Sequence, residues 1–239
     1  MDSTSEPLVP AEDLVRDHPI RFPNESAAYR AARNALLIEE IELRRHIERV
    51  AAQRRALPPG GEVVGDYRFQ GEDGEVVGLE ALFAGKSTLV AYSYMFGPHR
   101  ERPCPMCTNL LGGWEGNAED IAQKASLVVI ARSPIEKLKA WKAERGWRAL
   151  RLYSDLNDNY SRDYFGVTPE GDEIPGLNVF SRRGGVVRHF WAGEMGDWTS
   201  DPGQDPRGAP DPAPLWMVLD CTPEGRDPTW YPSLTYPPG

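Results

Sequence analysis

The sequence predicts an α/β fold of three layers, a mostly parallel sheet with helices on both faces. Three observations carry this. Short apolar runs alternate with helical stretches between residues 63 and 192. One of those runs, Ser126 to Ala131, is continuously apolar, as in a strand buried on both faces. The last two runs, Leu177 to Ser181 and Val186 to Phe190, flank Arg183-Gly184-Gly185, a hairpin signal.

Residues 1–23 are polar and carry no basic start or apolar core of a signal peptide. Residues 24–62 form a long helix and its linker. Asn24 is its expected N-cap, and Pro58-Pro59-Gly60-Gly61 stops it. Such a helix spans about 50 Å. Tyr29, Leu36, Leu43, Val50 and Leu57 recur at heptad spacing. This stripe is expected to pack on its own domain or across a homodimer. Too few heptads carry a second apolar position for a coiled coil.

Asp66 to Phe69 and Glu75 to Val77 flank Asp73-Gly74, a hairpin. Leu79 to Phe83 is a short helix or turn, and Leu89 to Tyr94 the first central strand. A helix from Cys104 to Lys124 follows, then the Ser126 strand. The next helix runs from Pro134 to Gly146, with Ser133 as N-cap and Pro134 at its first position. Leu150 to Tyr153 is a strand and Asn157 to Phe165 a short helix stopped by Gly166. Alternating strands and helices imply parallel pairing. The order β-α-β-α-β-α-β-β suits an expanded thioredoxin-like fold over residues 63–192. Residues 193–239 are a Pro-rich extension, with 10 prolines among the last 43 residues. Leu215 to Leu219 is its apolar exception and is expected to dock on the core.

The chain has 239 residues, a net charge of -9 and three cysteines. The acidity argues against nucleic-acid binding. Three cysteines do not make a secreted disulfide framework. No apolar stretch reaches the roughly 20 residues of a membrane helix. A soluble, cytoplasmic protein is expected, with its resting thiols reduced.

Cys104-Pro105-Met106-Cys107 carries the most chemistry. It follows a strand and a Gly97-Pro98 turn and opens a helix. Two intervening residues let the sulfurs meet within one turn. The free amides and positive dipole of a helix start stabilise a thiolate, lowering a cysteine pKa to roughly 3.5–7.5. Pro105 suits the first turn, where its missing N–H is no loss. Cys104 is the expected nucleophile and Cys107, one turn inward, the resolving thiol. Arg100 and Arg102 favour the thiolate and Glu101 opposes them. A buried inert pair, or half a zinc site, are the competing readings. Cys221 is a third redox thiol, the completion of a zinc set with Cys104, Cys107 and a histidine, or a buried small apolar residue; the zinc reading is the weaker, since one Cys pair is short of the usual two. His99 is an acid/base group, a metal ligand or an ordinary loop histidine. His189 reads as structural, and His18 and His46 have no visible partners. Asp155-Leu156-Asn157-Asp158-Asn159 begins like a calcium loop but has Tyr160 and Gly166 where glycine and an acid are needed.

Several segments, in order, resemble one family: Tyr67-Arg68-Phe69, Met95-Phe96-Gly97-Pro98, Ser133-Pro134, Gly146-Trp147, Pro175-Gly176-Leu177-Asn178-Val179-Phe180, and Asp220-Cys221-Thr222-Pro223-Glu224-Gly225-Arg226. Together they are similar to the bacterial thioredoxin-like family catalogued as domain of unknown function 899, over nearly the whole chain. The resemblance implies a fold related to thioredoxins and peroxiredoxins, and thiol chemistry without a named substrate. It also implies a cis bond at Ile174-Pro175, facing the cysteine pair and exposing backbone for substrate. Ile174, Pro175, Pro105 and Arg102 are therefore the expected substrate-binding residues. Tyr164-Phe165-Gly166-Val167 resembles a peroxiredoxin segment. Glu101 stands where a peroxiredoxin has Thr or Ser, and Pro103 where a thioredoxin has Trp. The function expected is a thiol–disulfide oxidoreductase or thiol-dependent peroxidase with no cofactor beyond its cysteine pair. Its partners are a thiol, disulfide or hydroperoxide and a thioredoxin-type reductant. A non-enzymatic interaction module is the alternative.

Overall fold

The computed structural model describes residues 7–194, 199, 214 and 231–235. The chain divides into two compact units, residues 1–58 and 59–239.

In the first unit α1 (Ala11–Arg16) packs against α2 (Ala27–Arg55). Ala11 and Val15 meet Ile41, with Leu37 and Ile38 around them. The cap of α2 is Ser26, whose hydroxyl accepts the Tyr29 N–H at 3.1 Å. The expected cap, Asn24, instead sits in the left-handed region at φ 62°. The heptad stripe is not the buried face: Tyr29, Leu36, Leu43 and Leu57 are exposed. Burial follows a neighbouring face because α1 supplies the apolar partner there.

The second unit begins with β1 (Phe69–Gly71), β2 (Val76–Val77), α3 (Leu79–Leu82) and β3 (Thr88–Ser93). Two helices, α4 (Pro105–Glu115) and α5 (Ala118–Ala122), lead to β4 (Ser126–Ala131). Then come α6 (Ile135–Arg145), β5 (Arg151–Asp155), α7 (Asn159–Asp163), β6 (Gly176–Arg183) and β7 (Val186–Gly193). The seven strands form one sheet in the order β2-β1-β5-β4-β3-β6-β7. β3, β4 and β5 are parallel, as the helical crossovers between them require. β6 returns antiparallel beside β3, and β7 antiparallel beside β6.

β4 is buried along its whole length. Leu127, Val129 and Ala131 face the helix layer of α4 and α6, among Leu111, Leu138 and Trp141. Val128 and Ile130 face the other way, toward Leu82, Phe83, Tyr160 and Phe180. The sheet thus separates two cores, each covered by helices, which gives the three layers. Residues 60–63 run along β7, with the Val63 N–H on Val187 O at 2.9 Å and the His189 N–H on Gly61 O at 2.9 Å. That covers part of an open sheet edge.

Two expected elements differ. The helix expected from Cys104 to Lys124 is two helices, broken at Gly116-Asn117, where the Asn117 side chain bonds back to Gly113 O at 3.1 Å. Asparagine competes in this way for backbone carbonyls. α6 starts one residue late, with Pro134 rather than Ser133 as its N-cap. Ser133 is buried, its hydroxyl donating to Gly97 O at 3.0 Å. Gly146 closes α6 at φ 69°, the left-handed turn that suits glycine. The expected docking of Leu215 to Leu219 lies outside the described residues, as does Cys221.

Candidate active site

The site sits where β3 leaves the sheet and α4 begins. Cys104 is the N-cap of α4, and Pro105 occupies its first turn. Its backbone is held from both sides. The Cys104 N–H donates to Met95 O at 3.0 Å, and its carbonyl accepts from the Thr108 N–H at 3.0 Å and the Thr108 hydroxyl at 2.8 Å. Behind Thr108 runs a buried relay. Tyr94 O–H donates to Thr108 Oγ1 (2.6 Å), and Trp141 Nε1–H donates to the Tyr94 oxygen (2.9 Å). Each hydroxyl then gives one proton onward, and the chain ends on the Cys104 carbonyl. Tyr94, Thr108 and Trp141 are all buried. Sequence reading missed them. The four-residue step from Cys104 to Thr108 was their only signal.

Both cysteines are free thiols, Cys104 half-buried and Cys107 buried. They are unequal. Cys104 is pulled down to about 6, first because the Cys107 thiol donates toward its sulfur. Burial opposes this, and the Cys107 and Met106 amides and the Arg100 charge reinforce it. Those amides belong to the first turn of α4, where unpaired N–H groups and the positive end of the dipole favour an anion. Cys107 is pushed well above the ordinary thiol range by donating to Cys104 and by burial. The phenol of Tyr92, itself buried in the same core, faces the Cys107 sulfur and partly offsets this.

The arginines divide their roles. Arg100 is ion-paired with Glu173, the residue before Ile174, and is the cation that acts on Cys104. Arg102 is turned away. Its guanidinium makes two bonds to Glu144, at 2.7 and 3.0 Å, and lies 4.6 Å from the Trp141 ring centroid. The expected help of Arg102 to the Cys104 thiolate is therefore not there, because a carboxylate and an indole on α6 hold it. Ile174 and Pro175 are half-buried and precede Gly176, the Cα partner of Ser93 at the end of β3. They stand at the same end of the sheet as the β3–α4 connection. Pro105 is half-buried, and Met106 beside it exposed. His99 is exposed. His189 is tied to Asn178 at 3.0 Å and stacked near Tyr164 and Phe180. Among the described residues no three His, Cys, Asp or Glu side chains gather as a metal site. None of the described helices is long and apolar enough to cross a membrane.

A model of the family described as "Bacterial protein of unknown function (DUF899)" matches residues 18–236. The chain belongs to this family. Its fold is thioredoxin-like: a β3-α4-β4 crossover with an antiparallel β6–β7 hairpin beside β3 and the cysteine pair at the start of α4. The chain is similar to solved structures of that fold. Peroxidoxin BcpB from Mycobacterium tuberculosis is 22% identical, with 53% of this chain and 79% of that one covered at a TM-score of 0.40. A peroxiredoxin Q mutant from Xylella fastidiosa is 11% identical over 57% and 84%, with a TM-score of 0.44. The exposed lipoprotein thioredoxin of Streptococcus pneumoniae is 15% identical over 52% and 87%, with a TM-score of 0.38. Likeness at this level gives the chain no activity. The search among curated proteins found no match.

Proposed function

We propose that Cys104 and Cys107 are a redox-active dithiol, and that the protein is a thiol–disulfide oxidoreductase or thiol-dependent peroxidase. One observation carries the reading: two thiols in one helical turn with opposite acidities, one held down to about 6 and one pushed up. That split gives one group the nucleophile's role and keeps the other protonated until it is needed.

With a disulfide substrate, the Cys104 thiolate attacks one sulfur, forms a mixed disulfide and expels the other sulfur as a thiolate. Cys107, giving up its proton, then attacks the Cys104 sulfur. The second substrate thiolate leaves, and Cys104–Cys107 is the two-electron oxidised product. With a hydroperoxide, Cys104 takes the terminal oxygen to become a sulfenic acid while the alcohol leaves. Condensation with Cys107 then releases water and gives the same disulfide. In either case a thioredoxin-type dithiol returns the pair to its reduced state, and no other cofactor takes part. Ile174, Pro175 and Pro105 form the substrate's apolar wall. Arg102 serves indirectly, clamping the approach to Cys104 onto α6. The protein acts in the cytoplasm, where the resting pair is reduced.

The test is a redox titration followed by mass spectrometry, with and without hydroperoxide. A Cys104–Cys107 disulfide is the expected product, and Cys107→Ser should trap a mixed disulfide or sulfenic acid on Cys104. Slow, equal alkylation of both thiols with no such disulfide would favour the interaction-module reading.

A further inference from the structure

A cavity of about 540 Å³ lies beside β6 and β7, with Ile174 and Pro175 in one wall. Neither cysteine lines it. Its volume falls in the range of small-molecule sites, roughly 300–1,000 Å³. Asn178, 3% exposed, and half-buried His189 present polar groups to it, joined to each other at 3.0 Å. Leu177 and Ala192 supply apolar surface. Two aromatic rings complete it. Tyr164 stands 5.4 Å from the His189 ring. Phe165 is 73% exposed at φ 53°. A bulky residue held in the left-handed region is strained, and strain of this kind clusters at ligand clamps.

The charges fix the kind of ligand. The lining holds three carboxylates, Glu62, Asp163 and Glu194, and no Lys or Arg among the described residues. Among the described residues, Glu62 has a cationic partner, Arg188 at 3.3 Å, and Asp163 and Glu194 have none. Asp163 accepts the Tyr67 hydroxyl at 2.8 Å, a neutral donor. Burial lowers the His189 pKa, so its imidazole adds no positive charge at neutral pH. An anion is repelled by such a site. A cation with an apolar body meets carboxylates at the rim and ring faces within, the arrangement that holds organic ammonium groups.

We propose that this cavity binds a small organic ammonium compound, its apolar body against Leu177 and Ala192 and its cationic head between the Tyr164 and Phe165 rings and the Asp163 and Glu194 carboxylates. The inference uses neither Cys104 nor Cys107, and Ile174 and Pro175 are the wall that this cavity shares with the substrate site proposed above.

Calorimetry on the full chain carrying Cys104→Ser tests it with three probes of equal size: phenylpropylammonium, phenylpropanol and phenylpropionate. The ammonium should bind on the order of tenfold tighter than the alcohol, the scale of a cation–π contact with a carboxylate nearby. The carboxylate probe should not bind. Asp163→Asn with Glu194→Gln should erase the preference, the asparagine still accepting from Tyr67. Phe165→Gly should weaken ammonium binding without lowering the melting temperature, since glycine suits its backbone. Equal affinity for alcohol and ammonium, no ammonium binding, or binding unchanged in both variants would each overturn the proposal.

Discussion

Replacing Cys107 separates the two sources of Cys104 acidity. The largest contribution is the donation from the Cys107 thiol, ahead of the helix amides and Arg100. A hydrogen bond to a charged group contributes about 1.5–3 kcal/mol, equal to about 1–2 pKa units at 1.36 kcal/mol each. Wild-type Cys104, at about 6, should be about 90% thiolate at neutral pH, against about 3% for an ordinary cysteine. Cys107→Ala removes the donor and should raise the midpoint of Cys104 to between about 7 and 8. Cys107→Ser keeps a donor at that position and should stay near the wild type. The assay is the pH dependence of iodoacetamide alkylation, read on the Cys104 peptide by mass spectrometry so that Cys221 does not contribute. A Cys107→Ala profile superimposed on wild type would refute the argument and leave the helix start as the cause. A wild-type midpoint in the ordinary thiol range would refute the whole account of Cys104.

The relay behind Cys104 should be visible in stability and in reactivity. Tyr94→Phe leaves Thr108 without its donor and the Trp141 N–H without an acceptor, and should cost about 1–3 kcal/mol in urea unfolding; Thr108→Ser should be much milder than Thr108→Val. Gly60→Ala places a Cβ 1.8 Å from the His189 carbonyl oxygen, so backbone must shift. A loss of about 1–3 kcal/mol is expected in thermal or urea unfolding. Burial pushes the Glu115 carboxyl up, but N–H groups of Arg148, Ala149 and Leu150 outweigh it, and its pKa is lowered. Its stabilisation is therefore present above the ordinary glutamate pKa and lost as pH falls through the folded value. Glu115→Gln should flatten that part of the stability–pH curve, measured by urea unfolding across the acid range.

Much of the sheet was legible because burial on both faces leaves a run of apolar residues in a strand, as in Leu127 to Ala131. The cysteine pair was legible because local spacing and a helix start are sequence properties. What escaped depends on distant neighbours. Asn24 and Ser26 are both good caps, and only the backbone turn at Asn24 decides between them. Arg100 and Arg102 look alike in sequence, yet Glu173 and Glu144, about 70 and 40 residues on, give them different tasks. The α2 stripe does not pack within its own unit, because a heptad names a face without naming its partner and α1 covers the neighbouring face. Trp141 and Tyr94 gave no sequence signal of the relay, since their polar ends find partners only once α6 packs beside the end of β3.

Glu115 has a further consequence, in the order of assembly. Its carboxylate gathers three successive backbone N–H groups, Arg148 to Leu150, immediately ahead of β5. Parallel strands form late, because each pairing must first close a long crossover. Here the last residue of α4 holds the incoming chain where β5 must enter beside β4. The helix that carries the cysteines thereby also anchors the entry to a strand some forty residues downstream, so that α4 and β5 are tied through one carboxylate.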